Sequence, residues 1–245
     1  VRVLVIGGTG GVGEGIVRGL LARREHLAGI AVSSRTEAKL ARFHRSVDLD
    51  PLVHPVLGDV GTTDSARDLR DAVRSFGRLD VVIASIGGWW SGPELTQIDD
   101  VTWSQTLDTM LTTHAICART FIPELEHRGG KYLAIGGGAA LAPVRGSSLV
   151  SIAGAAQMML TRALVAERGP DRAPLIRELV VDGPVSTSAP HHGPKTDGET
   201  TAREVGRAVA SWVIHASLCD ESNAFDWPRH LLETDGAITI MHRRE

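Results

Sequence analysis

Short apolar runs alternate with longer amphipathic segments along the whole chain. The runs VRVLVI, AGIAVSS, LVHPVL, LDVVIAS, KYLAIGG, LIRELVV and AITIM have the length and the β-branched content of strands. Residues 12–23, 36–46, 63–76, 99–126, 149–168 and 202–217 repeat their apolar positions at helical spacing. Such alternation predicts an α/β fold: a doubly wound parallel sheet of about seven strands with helices on both faces. No Pro/Gly/Ser linker or internal repeat divides the 245 residues, so a single domain over 1–245 is expected. The exception to the alternation is STSAPHHGPKTDGETTAR, residues 186–203. It leaves the sixth strand at the sheet edge where ligands bind, and reads either as a substrate lid or as an ordinary surface excursion.

Charge and cysteine usage narrow the classes of function. A formal net charge of −3 supplies no basic field for a phosphate backbone, so nucleic acid is not an expected partner. Cys117 and Cys219 are too far apart to suggest a disulfide framework or a thiolate metal site, which fits a reducing cytoplasm and no bound metal. VRVLVIGG is too short for a signal sequence, and no later run looks long enough to span a bilayer. A soluble, untargeted, cytoplasmic chain is the expectation.

The chemistry begins in VLVIGGTGGVGEGIVRGL, which puts Gly7, Gly11, Val12 and Gly13 at the first strand-to-helix turn. Glycines there let a pyrophosphate approach the backbone and the helix N-terminus. The spacing Gly7-x-x-x-Gly11-x-Gly13 resembles the signature of the short-chain dehydrogenase/reductase family, whose fold is Rossmann-like. Further landmarks follow in that family's order over residues 1 to about 190. Asp59-Val60 stands where the family contacts adenine, ASIG (84–87, with Ser85 and Gly87) where it has Asn-Asn-Ala-Gly, and GPVST (183–187, with Gly183, Val185 and Thr187) where it borders the nicotinamide. At the end of the second strand, Ser34 and Arg35 occupy the position at which a carboxylate selects NAD and an arginine suits the 2′-phosphate of NADP. NADP(H) is therefore the expected cofactor.

The resemblance also implies a tyrosine and a lysine four residues apart, a serine and an asparagine that together move the proton accompanying hydride transfer. Matched by spacing, those positions hold Val150, Gly154, Gly137 and Met110. No shift of register restores the pair. Tyr132 is the only tyrosine, its i+4 neighbour is Gly136, and the three lysines are Lys39, Lys131 and Lys195. Lys131 and Tyr132 are adjacent, so on a strand their side chains diverge. Four small or apolar residues predict a wider, less polar chamber and a weaker hold on the cofactor, so a chain that binds no cofactor is also open.

Replacement chemistry has weak candidates: His114, Ser147, Ser148 and His192, with His191 beside it. His114 sits on a helix that packs between subunits in the family, and packing is the simpler explanation for it. Trp89, Trp90 and Arg145 are expected to wall a substrate pocket, although two tryptophans equally suit a core. Two functions remain. One is an enzyme acting on a small apolar or aromatic metabolite without the Tyr-Lys relay, by hydride transfer with another proton source or by a non-redox cyclisation, isomerisation or elimination. The other is an inactive NADP(H) sensor or scaffold partner of an active homologue. The resemblance further implies a homodimer or homotetramer built on helices 99–126 and 149–168.

Overall fold

A computed structural model describes residues 1–127, 129–168, 174–186 and 200–214, and the backbone of 229–232 and 238–240. Its strands are β1 (Arg2–Ile6), β2 (Gly29–Ser34), β3 (Val53–Leu57), β4 (Val81–Ala84), β5 (Lys131–Gly137), β6 (Leu175–Val181), the short β7 (Val185–Ser186) and β8 (Thr200–Thr201), then β9 (Arg229–Leu232) and β10 (Ile238–Ile240). Its helices are α1 (Gly11–Leu21), α2 (Glu37–Ser46), α3 (Thr63–Arg74), α4 (Asp100–Leu107), α5 (Thr113–Phe121), α6 (Ser148–Arg168) and α7 (Ala202–Ile214).

Eight strands form one sheet in the order β10-β9-β6-β5-β4-β1-β2-β3. All neighbours are parallel except the edge pair β9 and β10. The doubly wound architecture is as expected, with one correction. The seventh parallel strand is Arg229–Leu232, and the segment within AITIM turns back against it as an antiparallel edge. The intervening Asp235-Gly236 is a hairpin signal that was present in the sequence.

Period-two alternation buries both faces of the sheet. Val3, Val5, Ile30, Val32, Val81, Ile83, Leu133, Ile135, Leu179 and Val181 point toward α1, α2 and α7. Leu4, Ile6, Ala31, Val82, Ala84, Tyr132, Ala134 and Ile176 point toward α3, α5 and α6. Near-continuous apolar strands are what a sheet covered on both sides requires.

The helix expected over 99–126 is interrupted. One wide π turn, Asp108–Thr112, joins α4 to α5. Thr109 and Thr113 donate back to the carbonyls of Gln105 and Thr109, and Thr112 donates to the Asp108 carboxylate. Such back-bonding competes with the regular helical ladder and bends it. A second amendment concerns α6, which is long and apolar enough to cross a bilayer by length and composition. Leu149, Ala153, Gln157 and Thr161 bury one stripe of it.

α1 and α7 cross at glycine contact. A Cβ on Gly15 would overlap the Ala202 carbonyl, and a Cβ on Gly19 would overlap the backbone of Gly206. Glycine within a helix costs about 1 kcal/mol relative to alanine, so an isolated α1 would gain from Gly19→Ala. Here the added methyl meets backbone that cannot step aside. Gly19→Ala is expected to lower stability by about 2 kcal/mol, opposite in sign to the propensity effect, as measured by urea denaturation.

Candidate dinucleotide site

The carboxyl ends of β1 to β6 converge on one edge, and the strand order reverses between β1 and β4, where open α/β sheets bind ligands. Gly7 has φ +75° there, and a Cβ would overlap the Ser85 carbonyl oxygen at the end of β4. Gly8 has Val32 Cγ1 2.7 Å from where its Cβ would lie, and Gly13 has Gly8 Cα at the same 2.7 Å. The turn closes through Gly10 N–H to Gly7 O (3.0 Å). Gly10 is also the N-cap of α1 and brings no side chain to the first-turn amides. An open helix N-terminus carrying partial positive charge is an anion site.

Thr9 Oγ1 donates to Ser34 Oγ at 2.9 Å, so the glycine turn and the end of β2 share a hydroxyl corner. Arg35 follows, exposed, and among the described residues it makes no ion pair. Thr36 is engaged as the α2 N-cap, accepting from Lys39 N–H, and leaves Arg35 projecting beside the corner. On β3's side, Asp59 accepts from Gly61 N–H (3.0 Å). Val60 is buried in the core, so its backbone alone is left to face a base. Ser85 and Gly87 (φ +108°) continue the edge beyond β4, and Gly183 (φ +73°) and Val185 continue it beyond β6. A tight glycine turn, an uncapped helix N-terminus and an exposed guanidinium fit the adenosine and phosphate half of a dinucleotide.

The other half differs from expectation. A Cβ at Gly137 would have nothing within 4 Å, so that position is open. Gly154 is not: Ala140, on the 3-10 turn after β5, holds its Cβ 3.0 Å from where a Cβ of residue 154 would be. A side chain would find open space at residue 137 and a tight fit against Ala140 at residue 154. Met110 lies in the π turn, half-buried, as is Val150 near the start of α6. Gly138 is covered by Asp182, whose Oδ1 lies 2.8 Å from its notional Cβ. Behind these, Gln157 Nε2 donates to Ile135 O (3.1 Å) and to the buried Glu178 carboxylate (3.3 Å). Asp182 and this buried pair escaped the sequence reading because only the β5–β6 register brings them beside the glycines.

Tyr132 and Lys131 are spent elsewhere. Tyr132 is buried beside the Cys117 thiol, and burial raises both, the thiol to about 12. Lys131 Nζ donates to the carbonyls of Trp212 (3.3 Å) and Val213 (3.0 Å), closing the end of α7 from the opposite face.

Two loops are stitched over the edge. Gly92 N–H donates to Gly146 O (2.9 Å), Ser91 and Ser147 hydroxyls bond at 3.2 Å, and Trp89 Nε1 donates to Ser91 (2.9 Å). Ser147 is therefore partnered, whereas Ser148 Oγ is buried with no partner among the described residues. Trp89 is 65% exposed and Trp90 lies over Gly92, so neither is a core residue. Arg145 is exposed on the second loop. Thr187, His191 and His192 lie outside the described residues, as does most of the expected lid, whose ends pair as β7 and β8. Among the described residues no cluster of ligating side chains is arranged for a metal.

These features define a Rossmann-type fold whose first turn is a candidate dinucleotide site. The short chain dehydrogenase family model matches residues 2–192, and the chain belongs to that family. It is 29% identical over 175 residues to the human protein "Dehydrogenase/reductase SDR family member 4", covering 68% of this chain and 60% of that one. It is 28% identical over 172 residues to "Cis-1,2-dihydrobenzene-1,2-diol dehydrogenase" of Pseudomonas putida, covering 68% and 61%. The chain thus aligns with about three fifths of the length of these relatives. Among solved structures, an alcohol dehydrogenase from the archaeon Thermococcus sibiricus complexed with 5-hydroxy-NADP superposes with a TM-score of 0.75 at 20% identity, covering 100% of this chain and 99% of that one. ElxO with NADP bound gives 0.72 at 19%, covering 95% and 96%.

His114 is buried, its Nε2–H donating to Ile86 O at 3.3 Å. Loss of hydration lowers it from 6.5 to about 4, which suits packing and holds the imidazole neutral at neutral pH. Unfolded, the ring takes up a proton near 6.5; folded, it resists to about 4. This group's contribution is therefore full above 6.5 and lost as pH falls toward 4. The loss is expected to be about 3 kcal/mol, read as the difference in urea stability between pH 7 and 4 that His114→Gln removes.

Proposed function

We propose that the chain binds NADP(H) and acts on a small apolar or aromatic metabolite as an atypical oxidoreductase without a Tyr-Lys proton relay. The observation that carries this reading is the cradle at the first turn. Gly7, Gly8 and Gly13 hold backbone where no side chain fits, and the uncapped end of α1 opens onto it.

Residue by residue, Gly11, Val12 and Gly13 offer first-turn amides to the pyrophosphate. Ser34, Thr9 and Arg35 would receive a 2′-phosphate, the hydroxyls orienting it and the guanidinium pairing with it. Asp59 and Val60 border the adenine, and Ser85, Gly87, Gly183, Val185 and Thr187 border the nicotinamide. The cofactor supplies a hydride donor or acceptor when bound. Val150 and Gly154 bring neither hydroxyl nor ammonium to that end, so proton transfer falls to substrate, water or another group, or the step is non-redox. Trp89, Trp90 and Arg145 would wall the substrate, with the Ser91–Ser147 stitch holding the two loops together. Names of relatives support oxidation of a hydroxylated ring or alcohol as the first activities to try.

A second reading, an inactive NADP(H) sensor or scaffold partner, is favoured by Ala140 closing the Gly154 position, which removes space the lysine would need. Turnover with any of a panel of dihydrodiols and aromatic alcohols decides between them. A homodimer is proposed for either reading. Met159 (56% exposed), Val101 and Trp103 leave an apolar surface on the adjacent helices α6 and α4, of the sort that oligomer interfaces cover.

Arg35→Ala is expected to weaken NADP binding about ten-fold while leaving NAD within about two-fold, measured by calorimetry. Met159→Glu is expected to convert the dimer to monomer in light scattering, because a charge is costly in a desolvated apolar interface.

A further inference from the structure

Asp182 stands at the carboxyl end of β6, one residue beyond the strand, exposed and leaning over Gly138. Gly138 leaves it room: a methyl at that position would lie 2.8 Å from Asp182 Oδ1 and 3.4 Å from Gly183 N, so the carboxylate would have to shift. The backbone carbonyl of Asp182 accepts from Thr200 Oγ1 (3.2 Å), which ties the end of β6 to the start of β8. Among the described residues no cation pairs with the carboxylate. Gly137, its neighbour across the glycine run, is open.

The strand order decides which end of a dinucleotide meets this group. In a sheet ordered 3-2-1-4-5-6 the two nucleotide halves lie on either side of the switch point between β1 and β4. Arg35 and the hydroxyl corner claim the adenosine half for the β2 side, so the nicotinamide half falls toward β5 and β6. There the chain presents a carboxylate from Asp182 and, with Gly154, no ammonium. A nicotinamide ring is cationic when oxidised and neutral when reduced, and a fixed negative charge beside it distinguishes the two.

We infer that Asp182 makes this site select the oxidised, cationic form of the nicotinamide cofactor over the reduced, neutral form. The inference rests on the proposed binding of NADP(H) and adds a direction to it. Asp182 is here a specificity-determining residue toward the ring's charge state and is assigned no covalent step. For the enzyme reading, this bias favours dehydrogenation over reduction. For the sensor reading, it makes the protein respond to the oxidised pool.

The test is to titrate NADP+ and NADPH separately into the wild-type chain and into Asp182→Asn, by calorimetry, at about 20 mM and about 500 mM salt. Wild type is expected to bind NADP+ more tightly than NADPH. Asp182→Asn, which keeps the side-chain shape over Gly138, is expected to reduce that preference about five-fold, mainly through weaker NADP+ binding. The wild-type preference is also expected to shrink at high salt, because an exposed charge is screened. An unchanged ratio in the variant, a salt-independent ratio, or a wild-type preference for NADPH overturns the inference and leaves the cofactor assignment standing. Failure of both nucleotides to bind wild type overturns the cofactor assignment, and the inference with it. The salt arm uses the unaltered chain, so a salt-independent ratio overturns the inference even should Asp182→Asn fail to fold, in which case Asp182→Ser takes its place as the charge-removing variant.

Discussion

Backbone runs against backbone where β1 turns into α1. The Gly7 turn lies on the Ser85 carbonyl and Gly13 lies on Gly7 and Gly8, backbone to backbone, while Gly8 lies on the Val32 side chain, so β1, β2 and β4 meet closely around the turn. This contact determines where α1 starts and which way its unsatisfied amides point. The same economy of side chains continues along α1, whose Gly15 and Gly19 let α7 approach to backbone contact. The phosphate cradle and one helical layer are thus consequences of a single spacing of glycines, and strain at any of them is felt in both.

On the other half of the edge, β5 and β6 are packed around further glycines. Gly136 accommodates the Glu178–Gln157 pair, Gly138 accommodates Asp182, and Gly137 faces open space. Ala140 takes the room at Gly154. Two carboxylates border these glycines, Glu178 buried on β6 and Asp182 exposed just beyond it. The two loops above it are tied by Ser91, Ser147 and the Gly92–Gly146 amide bond, with Trp89 attached to the tie. A rim stitched in this way is suited to holding a ligand at a fixed place, whatever chemistry follows.

Much of this was legible residue by residue. Alternation of Val3, Leu4, Val5 and Ile6 predicts a strand buried on both faces, and it is one. The count of one tyrosine excluded a tyrosine-lysine pair before any geometry, and Tyr132 and Lys131 indeed serve a core and a helix end on opposite faces. Less legible were features made by partners distant in sequence. Helical periodicity runs unbroken through residues 108–112, and only the threonine hydroxyls bonding back to carbonyls widen the turn. The four small or apolar residues said nothing of their own neighbours, and only the fold brings the Ala140 methyl against Gly154.

By itself the sequence determined the class of fold, the place of the glycine turn and the absence of the tyrosine-lysine pair. These follow from local rules: side-chain period, the steric uniqueness of glycine, and simple counting. The tertiary structure alone decided that Asp182 covers Gly138, that Ser91 meets Ser147, and that His114 is neutral and buried. Each depends on which strands are neighbours and in what register, and register is a property of the assembled sheet that no local stretch of chain encodes.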